Sequence, residues 1–460
     1  MHRKVVTFAL IPLSIIFGLA LSEGILRTGL LDDYSLYWFP PHYRAIDEAR
    51  LTEGRMLAHR NPLKFREFIQ GPAISSGKTA RIAVLGDSFI WGHGLHYADS
   101  WVQQFKAMVG DSHPSIEVLP WGLNGWSTLE ELEFLKIVMA QNKMFEADLL
   151  MVGFVVNDPD LRDGNWEHWR KEIKWSETWF APLGSVFPYT WGFLTGHIDA
   201  LLEIVTDDHG HRNWMKNLWS EDNLAKYTKV LQELKSFAET MDVPVLMVIT
   251  PKDANRAYFD EKLDRITALF DQVGLKWINL FGFVEERFGD TGAIPRLYWA
   301  NPANSHPGPE INAVMAATTY DHLLKNGTLD RLSEKRKLRW VDRVLQLPEC
   351  KKNNGLKSLI KQSNAPESGN KLHLGISGVI FILEQEQVLA LKAVAVETKF
   401  GLYPALYGTP IELDLSDGRK VTGPFGFFID LPYNDDGKAP QVTRLILETK
   451  DSCHHLLQAF

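Results

Sequence analysis

From Thr79 onward the chain repeats one pattern: a short uncharged apolar run, a turn, then a longer stretch with apolar residues every three or four positions. The runs predict strands at Arg81–Leu85, Ser115–Pro120, Ala147–Val156, Val243–Thr250 and Leu275–Leu280. Continuous apolar runs mark strands covered on both faces, as in a parallel sheet. The stretches between them predict helices at Trp101–Val109, Thr128–Asn142, Asp222–Met241, Phe259–Val273 and Pro309–Lys325. Ser127 or Thr128 caps the second helix, and Glu130 and Glu131 fall in its first turn, where the dipole favours negative charge. Strands alternating with helices make 79–330 an α/β domain, a sheet between two helical layers.

Three regions depart from this pattern. Residues 157–242 interrupt it with an insertion that holds seven of the 15 tryptophans. A lid or substrate wall fits this segment, and so does a helical subdomain using Trp for its own core. Residues 331–371 are expected to be a linker, because Lys351–Lys371 is polar and lacks aromatics. Residues 372–460 then read as strands at Gly378–Leu383, Val388–Glu397, Pro410–Leu415 and Lys420–Leu431, with Ser416-Asp417-Gly418 as a hairpin turn. This predicts a small all-β, sandwich-like domain, either a carbohydrate-binding module or a structural accessory.

The N-terminus carries a different signal. Val5–Ser22 is an uncharged run of 18 residues behind Arg3 and Lys4. That length is just enough to span a bilayer, and the preceding positive charge predicts an exported remainder, on the periplasmic or extracytoplasmic side. Residues 1–25 therefore read as a transmembrane anchor, with a cleaved signal as the competing reading, since Ala20 and Ser22 fit the small-residue spacing of a cleavage site. Residues 26–78 follow as an approach segment; Tyr34, Tyr37, Trp38, Phe39, Pro40 and Pro41 suggest extended chain.

Composition changes little in this picture. Hydrophobic residues make up 45% and charged residues 23%, values ordinary for a globular protein. The net charge of −8 and the lack of a long basic run exclude nucleic acid as an expected partner. Cys350 and Cys453 fit one disulfide in an exported chain, or two free thiols. His93 and His96 lack the carboxylates or thiols of a metal site, and His209 and His211 sit in a polar DDHGHR turn. No phosphate-binding glycine loop occurs, so no cofactor is expected.

The candidate chemistry lies at strand ends. Ser88 follows the first strand in Gly86-Asp87-Ser88-Phe89. Gly125 follows the second in PWGLNGWST, and Asn157 the third in VGFVVNDPD. His306 stands in Asn304-Ser305-His306-Pro307, on a predicted loop before the last helix. A serine nucleophile needs a base and donors for the oxyanion, and open α/β sheets gather such groups at the carboxyl edge of the strands.

This order of motifs resembles the SGNH hydrolase family, the GDSL-type esterases and acyltransferases, in its bacterial exported form. The resemblance covers Thr79 to Asn326. It implies a flavodoxin-like three-layer α/β/α fold with Ser88 as nucleophile and His306 as general base. It also implies an oxyanion hole made by the backbone N–H groups of Ser88 and Gly125 and the side chain of Asn157. The family's orienting Asp, three residues before the His, is Ala303 here, and no carboxylate lies between Asp290 and Glu310. Asn304 is then a possible orienter of His306. The implied activity is ester hydrolysis or O-acyl transfer on an acylated small molecule or polysaccharide of the cell envelope. The alternative is a non-catalytic carbohydrate-binding or assembly protein of the same fold.

Overall fold

The computed structural model describes residues 2–31, 40–59, 80–136, 146–161, 180–206, 210–250, 256–288, 299–301 and 304–334, the strands between 356 and 458, and a few single positions. Two helices come first, α1 (His2–Arg27) and α2 (Pro41–His59). Then β1 (Ala80–Gly86) leads into the single turn α3 (Ser88–Trp91), followed by α4 (Trp101–Ser112), β2 (Ile116–Gly122), α5 (Thr128–Leu135) and β3 (Leu149–Phe154). Four helices follow: α6 (Ala181–Val186), α7 (Pro188–Val205), α8 (Gly210–Leu218) and α9 (Glu221–Thr240). The domain finishes with β4 (Val245–Ile249), α10 (Arg256–Val273), β5 (Lys276–Asn279) and α11 (Phe281–Phe288). A small hairpin, β6 (Trp299–Asn301) and β7 (Asn304–Pro307), then leads into α12 (Pro309–Lys325) and α13 (Thr328–Ser333).

The five strands are parallel in the order β2-β1-β3-β4-β5. This is the flavodoxin-like order, and the direction of winding reverses between β1 and β3. Alternate residues along each strand face opposite helical layers. Ala83, Leu85, Leu150, Val152, Met247 and Ile249 pack toward α5, α9 and α10. Ile82, Val84, Met151, Val118, Val248 and Ile278 pack toward α4 and α12, around Trp101 and Phe105. Both faces are therefore core, which is why the strands read as unbroken apolar runs.

The predicted strands and helices lie where the pattern put them, with ends shifted by a few residues. Helix α12 matches at both ends because Pro309 suits the first turn, where no backbone donor is needed. Residues 137–145, the rest of the helix expected to reach Asn142, lie outside the described residues. The approach segment is not extended throughout: from Pro41 it is helix α2, and the carbonyl of Pro40 accepts the N–H of Arg44 at 3.0 Å. Among the described residues no helix is long and apolar enough to cross a membrane. The run Val5–Ser22 lies in α1, but the helix continues into protein contacts. Glu23 and Leu26 are buried, and Glu23 accepts the backbone N–H of Thr190 in α7 at 2.9 Å. The side chains of residues 2–12 lie outside the described set.

Beyond residue 350 the described residues are strands, apart from the intervening positions. β8 (Leu356–Asn364), β9 (His373–Ile382) and β10 (Gln387–Val388) come first, then β11 (Leu391–Thr398), β12 (Gly401–Pro404) and β13 (Leu406–Tyr407). A hairpin follows, β14 (Ile411–Asp414) and β15 (Lys420–Gly423), then β16 (Phe427–Pro432), β17 (Val442–Thr449) and β18 (His454–Gln458). They form one antiparallel sheet ordered β10-β9-β16-β13 with β8 on β9, and another ordered β12-β11-β17-β18. Two expectations change. Part of the expected linker is β8, which gains its order from pairing with β9 over nine residues. The expected strand Lys420–Leu431 is two strands, β15 paired with β14 and β16 paired with β9, and residues 424–426 between them lie outside the described residues. The strands flanking Ser416–Gly418 pair as expected, with Asp414 opposite Lys420; the turn itself lies outside the described residues.

Candidate active site

Ser88 opens α3 immediately after β1, at the point where the sheet reverses its winding. Its position depends on close packing of that turn onto the sheet. Ile90 of α3 presses on three glycines, one on each neighbouring strand. A Cβ at Gly86, Gly122 or Gly153 would fall 2.1 to 2.7 Å from an Ile90 side-chain atom. Only glycine at these three positions lets α3 settle so low. Asp87 caps the turn, and its Oδ1 accepts the N–H of Phe89 at 2.9 Å.

His306 lies 218 residues further on, yet its Nε2 is 2.8 Å from Ser88 Oγ. It stands on strand β7 rather than on the expected loop, so its backbone is held by pairing with β6. Asp87 Oδ2 is 3.3 Å from the same hydroxyl. A hydroxyl has one proton, and the shorter contact decides its direction. With His306 protonated at Nδ1, Ser88 donates to Nε2, the pairing a general base requires.

The His306 ring contacts two other rings. Phe89 lies at a centroid distance of 5.0 Å, and His93 stacks at 4.6 Å with planes 24° apart. Burial pushes the His93 pKa down, against a hydrogen bond to Asn124 that raises it. An uncharged His93 places no positive charge against His306 when that ring takes a proton. The His93 turn is anchored by Arg66, which is buried and donates to the carbonyls of Gly92 at 2.7 Å and Leu95 at 2.6 Å. Its guanidinium also lies 4.9 Å from the Trp91 ring centroid.

Asn157 and Gly125 reach the same edge. Asn157 Nδ2 donates to Asp87 Oδ2 at 3.4 Å, which puts its amide beside the serine turn. Gly125 has φ of 79°, in the region that favours glycine, within a turn closed by Trp126 N–H to Leu123 O at 3.1 Å. That turn is tied to the serine loop through Leu123 N–H and the carbonyl of Gly86, 3.1 Å apart. The structure thus brings together Ser88, His306 and Asn157 and places the Gly125 turn beside them. Ala303 and the side chain of Asn304 lie outside the described residues.

Beneath the site lies a buried acidic layer. Glu131 on α5 and Asp158 after β3 are almost fully buried. Burial, reinforced by the neighbouring carboxylate of Asp87, pushes both pKa values well above their ordinary values. Asp158 Oδ2 accepts the N–H of Val155 at 2.8 Å, which shapes the turn that presents Asn157. Among the described residues no three His, Cys, Asp or Glu side chains gather as a metal site. His96 contacts Glu53 at 2.9 Å; His209, the side chain of His211, and both cysteines lie outside the described residues.

His93 and Arg66 carried no signal as site residues in the sequence. The spacing of His93 was visible, but its stacking partner is more than 200 residues away, and Arg66 belongs to no local motif. Of the three glycines that admit Ile90, Gly86 was singled out in the sequence as part of a motif, while Gly122 and Gly153 were not.

The serine-histidine pair stands at the switch point of a 2-1-3-4-5 sheet, and several solved structures are similar to this chain at low sequence identity. No protein-family model matches the chain, nor does any curated protein. A member of the lipolytic protein G-D-S-L family from Veillonella parvula is 13% identical, covering 54% of this chain and 99% of its own, with a TM-score of 0.31. The psychrotrophic esterase EstA from Pseudoalteromonas sp. is 12% identical, covering 53% and 97%, with a TM-score of 0.31. A catalytic mutant of Axe2, an acetylxylan esterase from Geobacillus stearothermophilus, is 12% identical, covering 55% and 97%, with a TM-score of 0.33. The structural resemblance is to GDSL/SGNH lipolytic proteins, the family the motif order resembles.

Proposed function

We propose that the protein is a serine esterase or O-acyltransferase acting on an ester, foremost an O-acetyl group, of a cell-envelope or extracellular carbohydrate. The observation that carries this reading is the 2.8 Å contact between His306 Nε2 and Ser88 Oγ at the carboxyl edge of the sheet. Ser88 Oγ attacks the ester carbonyl while His306 takes its proton. The N–H groups of Ser88 and Gly125 and the amide of Asn157 receive the oxyanion. Collapse breaks the ester bond, and the alcohol leaves with the proton from His306. Water or a sugar hydroxyl then attacks the acyl-serine; His306 accepts its proton and returns it to Ser88. With alanine at 303, the ring contacts of Phe89 and His93 hold His306 in place.

The rest of the chain fits this role as accessory structure. The C-terminal sheets form a sandwich that holds the polymer. The chain is exported, and its N-terminal segment holds it at the extracytoplasmic face of a membrane. The acetylxylan esterase among the similar structures makes O-acetylated xylan the first polymer to try.

The test is acetate release from O-acetylated xylan, and turnover of p-nitrophenyl acetate, by the full chain and by Ser88→Ala. Release by the wild type alone supports the proposal. Turnover of the aryl ester without release from the polymer keeps the esterase and removes this carbohydrate. Equal rates for both chains, or none, leave the non-catalytic carbohydrate-binding reading, which Ala303 favours.

A further inference from the structure

Among the described residues, most of the exposed large apolar side chains are gathered in one place. Of 18 large apolar residues described as exposed, 15 lie on α1, α6 and α7 or the turns beside them. Helices α1 and α7 run antiparallel. Glu23 accepts the N–H groups of Tyr189 and Thr190 at the start of α7, at 3.3 and 2.9 Å, while Leu19, one turn earlier, lines a cavity together with Leu194 and Ile198. Between the helices is a cavity of about 230 Å³ lined mainly by apolar side chains, among them Leu19, Phe180, Leu183 and Trp191.

The outward faces are apolar where a soluble helix is polar. On α7, Leu201, Ile204 and Val205 are exposed and stand outside the cavity lining, and Leu194 and Ile198, which line the cavity, remain partly exposed. On α1, Leu13, Phe17, Leu21 and Ile25 form a stripe, while Ile15 and Ile16 point away from it and are also exposed. A protein partner covers one face of a helix, whereas lipid accommodates apolar groups in several directions. One end of the pair carries Tyr189, Trp191 and Trp175, the amphipathic aromatics that favour a membrane–water boundary. Helix α7 is not a span. It carries Asp199 and Glu203, and Asp207-Asp208 follows its end. Its geometry suits a helix lying in the interface plane.

We infer that α1, α6 and α7 form one platform whose occupant is the outer acyl-chain region of a lipid bilayer, with α7 lying in the interface beside α1. This inference rests on the membrane-held reading of the N-terminal segment and extends it to the insertion. The tryptophan-rich insertion is then a lipid-facing element rather than a lid.

The test uses the full chain with Cys350→Ser and Cys453→Ser, purified in detergent and returned to phosphatidylcholine vesicles. An environment-sensitive fluorophore is placed at Leu201→Cys, or at Glu239→Cys on α9 as a control; both positions are exposed. Ester turnover confirms that each chain is folded. On floated vesicles the probe at 201 is expected to shift to the blue and lose most of its intensity to lipid labelled with doxyl near the headgroup. The probe at 239 is expected to do neither. Vesicle-bound protein with no quenching at 201 overturns the platform and leaves α1 as the sole attachment. Failure to float overturns the platform and the membrane-held reading together. A blue shift at 201 that rises with protein concentration in the absence of vesicles assigns the face to a second copy and overturns the lipid.

Discussion

The carboxyl edge of the sheet and the α1–α7 pair are built by opposite rules. At the sheet edge the apolar residues are buried and polar groups meet: Ser88, His306, Asn157 and Asp87 sit above Ile90 and its three glycines. In the helix pair the polar contacts are inside, Glu23 against the N-terminus of α7, and the apolar stripes face outward. Both regions show strong apolar periodicity. The difference lies in what covers the apolar face, protein in one case and the proposed lipid in the other. Periodicity alone identifies a face and not its neighbour.

The largest expected effect breaks the chemistry at the sheet edge. His306→Ala should lower kcat/KM by about 10⁴-fold or more, because the base and the nucleophile act as one unit. Steady-state turnover of an aryl ester reads this, with circular dichroism confirming the fold. The next tests the buried polar order of the same sheet. Arg81 and Glu117 pair at 2.8 Å on adjacent strands, with side-chain exposures of 0% and 3%. Arg81→Met removes the buried cation opposite the Glu117 carboxylate and should cost about 3–5 kcal/mol in denaturant unfolding. An exposed pair such as Arg55–Glu48, at 3.0 Å, should give about 1 kcal/mol or less in the same assay.

A smaller effect is expected from the proposed oxyanion donor, Asn157. Asn157→Ala should lower kcat about 10²–10³-fold while leaving stability near wild type. A change confined to KM would remove Asn157 from the transition state. The last effect concerns the acidic layer. The folded-state pKa of Glu131 lies well above the ordinary 4.5, so the stability it contributes is present below that value and lost as pH rises. Its ionisation in the unfolded chain alone contributes a slope of up to about 1.4 kcal/mol per pH unit. Glu131→Gln should flatten that decline, read as unfolding free energy between mildly acidic and mildly alkaline pH. An unchanged slope would mean that Glu131 is not the group responsible.

Much of the sheet was legible because both of its faces are core, so each strand shows as an apolar run bounded by turns. The order of Ser88, Gly125, Asn157 and His306 was legible because each follows a strand or precedes a helix. Helix α2 was not, since aromatics and two prolines at its entrance resemble extended chain. Strand β8 was not, because its order comes from β9 rather than from its own sequence. His93 and Arg66 escaped notice because their partners are brought by folding and leave no local pattern. Position 303, where the orienting acid would stand in the resembled family, holds Ala303. The sequence shows that absence directly, and the ring packing around His306 shows what stands nearby.

The central claim is that His306 activates Ser88 although position 303 carries no acid. It is tested most directly by treating the full chain with a fluorophosphonate and reading the intact mass, beside Ser88→Ala and His306→Ala. A single adduct on the wild type, missing from both variants, is the predicted result. A folded wild type that takes no adduct, or an adduct that persists in Ser88→Ala, would contradict it.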